Sequence, residues 1–216
     1  MTITTYSDLK NAVSDWLSRA DLAGRVPTFI ALAEAKLNRT MHHPLMEIRV
    51  ATTVVTTSDE PQFICLPDNF QSMRRVSLPD VTGAPSLEFK SEAQLARYRT
   101  SISNTPGQPR YFTVFGDEME LVPTPDSAYE LEMVYRATLP ALTADNTTNW
   151  LLDAAPDLYL YGALLQAAPY LDEEKKEIGL WAAAYATAHE EMTLHGQKYK
   201  YGPTPMRITL AGEVTP

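Results

Sequence analysis

Phe112-Thr-Val-Phe-Gly-Asp-Glu-Met-Glu-Leu-Val122 decides the fold class. Phe112 and Val114 lead into Gly116-Asp117, and Met119 and Leu121 then alternate with Glu118 and Glu120. Two runs of period two separated by two turn-forming residues predict a β-hairpin. After Pro123-Thr-Pro-Asp126 the alternation resumes, with Tyr129, Leu131, Met133 and Tyr135 facing one way and Glu130 and Glu132 the other. Upstream, Ile48, Val50 and Val54 alternate among threonines, and shorter strands are expected at Phe63–Leu66 and Ser72–Leu78. A short helix is predicted over Ser91–Arg99, with Leu95 and Tyr98 as its anchors. The middle of the chain is therefore predicted as an antiparallel β domain.

Outward from that core the period changes. Leu9, Ala12, Val13, Trp16, Leu17 and Ala20 fall on one face of a helix, and Thr5-x-x-Asp8 in front of them forms a capping box. A second helix starts at Pro27, a favourable first-turn residue, carries Val26, Phe29, Ile30, Ala33 and Leu37, and stops at His43-Pro44. Beyond a polar connector from Leu139 to Trp150, Pro156 opens a third helix bearing Leu158, Tyr161 and Leu165. Asp172 is placed to cap a fourth, acidic in its first turn (Glu173, Glu174), with Ile178, Trp181, Ala182, Tyr185 and Met192 on its apolar face and Gly196 as its stop. Neither helix pair buries its stripe well alone. The expected fold is α+β: a four-helix layer from 1–45 and 148–196, an inserted antiparallel β domain over 46–147, and an extended C-terminal tail over 197–216.

That tail differs from the rest. Lys198, Lys200 and Arg207 stand against Glu213 alone, on a 216-residue chain whose net charge is −9. Gly202, Pro203 and Pro205 force extended backbone, and Met206, Ile208 and Leu210 alternate around Arg207. Such a segment suits addition as a strand to another surface. Gly202, Pro203, Pro205, Met206, Arg207, Ile208 and Leu210 are therefore the candidate partner-binding residues, for another protein or a neighbouring copy.

Chemistry is harder to find. With a single cysteine, Cys65, there is no internal disulfide, and its apolar strand Phe63-Ile-Cys-Leu66 predicts an inert core thiol. His42 and His43 diverge on a helix, and His189 shares the stripe of Tyr185 as a core or edge residue. Phosphate-binding, nucleophile-elbow and zincin motifs are missing. Asp117, Glu118, Glu120, Asp126, Glu130 and Glu132 form an acidic run, in principle a carboxylate pair for hydrolysis, yet Glu118 and Glu120 are expected on the solvated side. Arg74, Arg75, Arg97, Arg99 and Arg110 are expected in salt bridges. The acidic balance opposes general nucleic-acid binding, and neither a secretory leader nor a membrane span is expected. No catalytic group, metal or cofactor is expected.

Several stretches together carry a resemblance. Tyr6-Ser-Asp-Leu-Lys10 with Asp15-Trp-Leu17, Val26-Pro-x-Phe-Ile-Ala-Leu-Ala-Glu-Ala-Lys-Leu-Asn-Arg39, Leu66-Pro-Asp-Asn-Phe70 and Gly107-x-Pro-Arg-Tyr111 are four of them. Phe115-Gly-Asp-Glu-Met-Glu-Leu-Val-Pro123 with Tyr135, and Leu151-Leu152 with Pro156-Asp-Leu-Tyr-Leu-Tyr-Gly-Ala-Leu-Leu165, complete the set. In order and spacing the chain resembles the adaptor (head–tail connector) proteins of tailed bacteriophages. That resemblance implies a non-enzymatic virion protein, assembled from the host cytoplasm into a ring, commonly a dodecamer, below the portal protein. It implies a tail (nozzle or tail-tube) protein as second partner, a channel through which DNA passes without specific binding, and a C-terminal segment reaching the portal or the next subunit. Two other readings stand beside it: a cytosolic oligomeric binding or regulatory module, and a carboxylate-dependent hydrolase.

Overall fold

The computed structural model describes residues 2–54, 60–81, 86–101, 105–171 and 175–201. The fold is mixed α+β, and the chain divides into two compact units, Met1–Leu45 with the residues from Leu139 onward, and Met46–Thr138.

In the first unit, α1 (Tyr6–Leu17) begins with the capping box its sequence encodes: Thr5 Oγ1 accepts from the Asp8 N–H at 3.2 Å and Asp8 accepts from the Thr5 N–H at 3.0 Å. Its last turn closes on Ser18 in the left-handed region, at φ 47°. A 3₁₀ segment, Ala20–Arg25, leads into α2 (Val26–Thr40). The connector from Leu139 clusters with the helices, and the short α4 (Trp150–Ala154) follows it, capped by Asn149; α3 lies in the other unit. Helix α5 (Pro156–Ala167) is the centre of the unit and packs against α1, α2 and α6 (Lys175–Tyr201). Leu158, Tyr159, Leu160, Gly162, Ala163, Leu164 and Ala167 are all buried, which covers most of the helix circumference. A helix apolar nearly all round must be surrounded.

Gly162 is the point of closest approach. A Cβ there would lie 3.2 Å from Ala33 Cβ on α2 and 3.3 Å from the Tyr185 ring on α6. Glycine lets three helices converge where a side chain would hold them apart.

Some sequence expectations shift by a fraction of a turn. Trp16 is half exposed and meets Tyr161 edge-on at 5.9 Å instead of entering the core. Ala182 is exposed, and Tyr161 and Leu165 are only partly covered. Helix α6 runs through Gly196 and does not stop there. The expected cap Asp172 and its acidic neighbours Glu173 and Glu174 lie outside the described residues.

The second unit holds two sheets. In the first, β7 (Tyr129–Ala137) lies between β1 (Glu47–Val54) and β3 (Phe70–Ser77), antiparallel to both. In the second the order is β2 (Phe63–Cys65), β6 (Glu118–Val122), β5 (Tyr111–Phe115), β4 (Glu88–Phe89). All its pairs are antiparallel except the two-residue β4–β5 contact. Helix α3 (Glu92–Ser101) packs against β5. Strands β5 and β6 form the expected hairpin, Phe115 opposite Glu118, with Gly116 at φ 55°, where a side chain would be strained. One core receives both sheets: Val54, Val76, Leu131, Met133 and Tyr135 from the first meet Phe112, Met119 and Leu121 from the second. The chain enters this unit at β1 and leaves it at β7 from facing positions, Glu47 opposite Arg136.

Helix packing at Gly162 sets a stability test. Gly162→Val is expected to lower the unfolding free energy by about 1–3 kcal/mol through overpacking. Gly179→Ala on α6, where a Cβ meets nothing within 4 Å, should raise it by about 0.5–1 kcal/mol. Urea titration of both variants checks the pair.

Candidate interaction surfaces

The inner helical faces are joined by a buried polar network. Glu34 lies on α2 at 6% exposure, inside the stripe of Ile30, Ala33 and Leu37. Its Oε1 accepts from the Leu142 N–H at 2.9 Å and from the Tyr159 hydroxyl at 3.3 Å. Asn149 donates from Nδ2 to that hydroxyl at 2.7 Å and to the Pro140 carbonyl at 2.8 Å, while its Oδ1 caps α4 by accepting from the Leu152 N–H at 2.9 Å. One turn along α2, Asn38 Oδ1 accepts from the Leu139 N–H at 2.8 Å. Glu34 and Asn38 of α2, with Asn149, thus satisfy three backbone groups of the connector, while the Tyr159 hydroxyl joins Glu34 to Asn149. Burial holds the Glu34 carboxyl above the ordinary carboxylate range although both hydrogen bonds favour its charged form, and burial likewise raises the Tyr159 hydroxyl.

Away from this network the helices present apolar side chains to solvent. Leu180 is 63% exposed, and Trp16, Leu32, Tyr170, Leu194 and Tyr199 are also open. Tyr170 is flanked by the Arg25 guanidinium, 5.1 Å from its ring centroid, and by Phe29 at 5.4 Å. Side chains of this kind are suited to contact with another protein surface.

In the β unit the acidic run divides in two. Asp117, Glu118, Asp126 and Glu130 are exposed, whereas Glu120 and Glu132 are buried, which corrects the expectation that Glu120 faces solvent. Arg99 pairs with Glu120 from α3. Glu132 sits on the middle strand of its sheet and accepts from Arg49 Nε on β1 and from Arg75 on β3, each at 2.7 Å. Arg49 and Arg75 both stand opposite Val134, so each reaches Glu132 on the diagonal. The hydrogen bond from Arg49, against the opposing effect of burial and with Arg75 adding to it, holds the Glu132 carboxyl below the usual range. Arg74 pairs with Glu47 in the same sheet. Carboxylates neutralised by arginine are the reverse of the raised, free acid that hydrolysis requires.

The remaining chemistry is sparse. Cys65 is exposed, not a core thiol: it ends the three-residue β2, opposite the exposed Glu118. Among the described residues no three His, Cys, Asp or Glu side chains are grouped to hold a metal. A recess of about 320 Å³ lies among Lys36, Thr40, Tyr185 and His189, and one of about 430 Å³ among Phe70, Met73, Phe89 and Phe112. No helix of the described residues is long and apolar enough to cross a membrane. The candidate docking residues Gly202, Pro203, Pro205, Met206, Arg207, Ile208 and Leu210 all lie outside the described residues.

A family model described as SU10 adaptor protein matches residues 4–209. The chain belongs to the SU10 adaptor family. No curated protein matches it. Membership implies the structural role of a phage adaptor in the virion, in contact with other head and tail proteins. The stretches that carried the likeness to head–tail adaptors do structural work. In the helical unit Tyr159 bonds Glu34, Asn38 holds Leu139 and Gly162 lies against Ala33 and Tyr185, and the Asn69 carboxamide accepts from the Tyr135 hydroxyl at 2.9 Å while the Asn69 carbonyl accepts from the Thr138 N–H at 2.8 Å. Glu34 escaped the sequence reading as a functional position. Its signal was a carboxylate standing inside an apolar stripe.

Because the native Glu34 carboxyl titrates above its unfolded value, its protonated form favours the fold. That contribution is complete below the unfolded pKa and is lost as pH rises through the folded one. Glu34→Gln keeps the acceptor without the charge, so its stability relative to wild type is expected to be greatest above the raised folded value and to shrink as pH falls into the ordinary carboxylate range. Glu34→Ala should cost about 1–3 kcal/mol throughout by stranding the Leu142 N–H. Denaturant melts of both variants against pH measure the two effects.

Proposed function

We propose that the protein is the subunit of a ring, a dodecamer, that sits below the portal, links it to a tail (nozzle or tail-tube) protein and continues the DNA channel. The family match over residues 4–209 carries this reading. The open apolar side chains of the helical unit support lateral contact between copies, since side chains such as Leu180 and Trp16 gain most when water is excluded from both partners.

The net charge of −9 supports a conduit that does not retain nucleic acid, because each basic contact to phosphate would add a counterion-release gain that holds it. With Glu120 and Glu132 neutralised by arginine, Asp117, Glu118, Asp126 and Glu130 are the acids of that segment left to act on a passing polyanion. The chain from Gly202 to Pro216 is the segment assigned to docking on the portal or the next subunit, from the sequence alone: Pro203 and Pro205 disfavour helix, and Met206, Ile208 and Leu210 alternate.

Negative-stain imaging of the full chain mixed with its portal is expected to show a ring seated on the portal. A chain truncated before Gly202 should keep the far-UV circular dichroism and melting temperature of the full chain and fail to join the portal. Rings on the portal with the truncated chain would refute the docking role, and free monomers with the full chain would refute the ring.

A further inference from the structure

His43 lies just past α2, is 3% exposed, and is held from several sides. Its ring stacks on Trp150 of α4 at 4.9 Å and on His195 of α6 at 5.5 Å, nearly parallel to the latter at 8°. Tyr199, one turn along α6, is tilted against both imidazoles. Gly196 completes the packing: a Cβ there would lie 2.8 Å from His43 Cδ2 and 3.0 Å from Pro44 Cδ. The glycine expected to end α6 instead lets the helix lie directly on the histidine.

The hydrogen bonds fix where the protons are. The Leu45 N–H donates to His43 Nδ1 at 3.1 Å, and a backbone amide has no other role available. His43 Nδ1 is therefore bare, its proton sits on Nε2, and His43 Nε2–H donates to His195 Nδ1 at 3.2 Å. His195 is exposed and carries its own proton on Nε2, toward solvent. This directional relay accommodates no further proton. One added at His43 Nδ1 confronts the Leu45 N–H, and one added at His195 Nδ1 confronts His43 Nε2–H.

From these contacts we infer that the His43–His195 pair is an acid-opened latch that holds the last turns of α6, and with them the departure point of residues 202–216, against the segment that follows α2. The facing groups favour opening on protonation. Tyr199 and His195 face His43 from α6, Trp150 faces it from α4 without a titratable group, and neither imidazole has a carboxylate partner among the described residues. On α6 itself Lys198 stands one turn after His195 and Glu191 one turn before it, charges of opposite sign. Burial, with His195 adding to it, holds the His43 imidazole below its ordinary range. The sign follows: the latch contributes fully above the unfolded histidine value and is lost as pH falls through the folded one.

Hydrogen exchange of the full chain, corrected for intrinsic rates and followed by mass spectrometry at about pH 8 and about pH 5.5, tests this. The wild type is expected to lose protection over 195–200 by about tenfold or more on acidification while α5 stays protected. His43→Asn keeps a side-chain acceptor for the Leu45 N–H but does not reach His195, so 195–200 should be poorly protected at both pH values. His195→Gln still accepts from His43 Nε2–H, so it should stay protected at about pH 8 and lose that protection on acidification as His43 gains a proton. Wild-type behaviour in His43→Asn, no pH dependence in the wild type, or a loss that spreads to α5 at the same pH would each overturn the latch.

Discussion

A carboxylate inside an apolar helix face is the constraint on which the helical unit depends. Glu34 is tolerable there because it accepts from a backbone N–H and from a tyrosine hydroxyl at once, and Asn149 in turn orients that hydroxyl. Each group in the chain satisfies the next, so the connector after the β unit is fixed at Leu139 and Leu142 and α5 enters the bundle in one register. A purely apolar contact would bury similar area but would not distinguish one helix rotation from the next. The polar chain supplies that distinction, and Gly162 then allows α2 and α6 to close on α5 at that position.

The β unit solves a related problem with opposite means. Its buried acids are charged and matched, Glu132 by two arginines from flanking strands and Glu120 by Arg99. These pairs tie β7 to β1 and β3, and α3 to β6, and the acids left exposed are Asp117, Glu118, Asp126 and Glu130. An acidic exterior with apolar side chains on the helices favours assembly through shape and burial while disfavouring polyanions.

Much of this was legible in the sequence, and the failures have physical causes. The α+β class, the hairpin at Gly116-Asp117 and the Thr5–Asp8 capping box follow from local periodicity and cap chemistry, which need only near neighbours. The misplacements concern tertiary distance. Alternation put Glu120 on the solvent side because period two cannot see Arg99 arriving from a helix twenty residues earlier. Gly196 looked like a helix stop because a sequence does not reveal a histidine ring 150 residues away that excludes a Cβ. Cys65 looked buried because its neighbours are apolar, yet it ends β2 opposite the exposed Glu118. Of the site, the residues that carry the family likeness were visible as motifs, while their role as the internal polar chain required the fold.

The way the chain threads the β unit has a mechanical consequence. Entry and exit occur at facing residues of one antiparallel pair, Glu47 and Arg136. Both crossings lead to the helical unit, where Asn38 holds Leu139, so tension on the insertion is shared by two neighbouring strands drawn the same way and does not unzip β1 from β7.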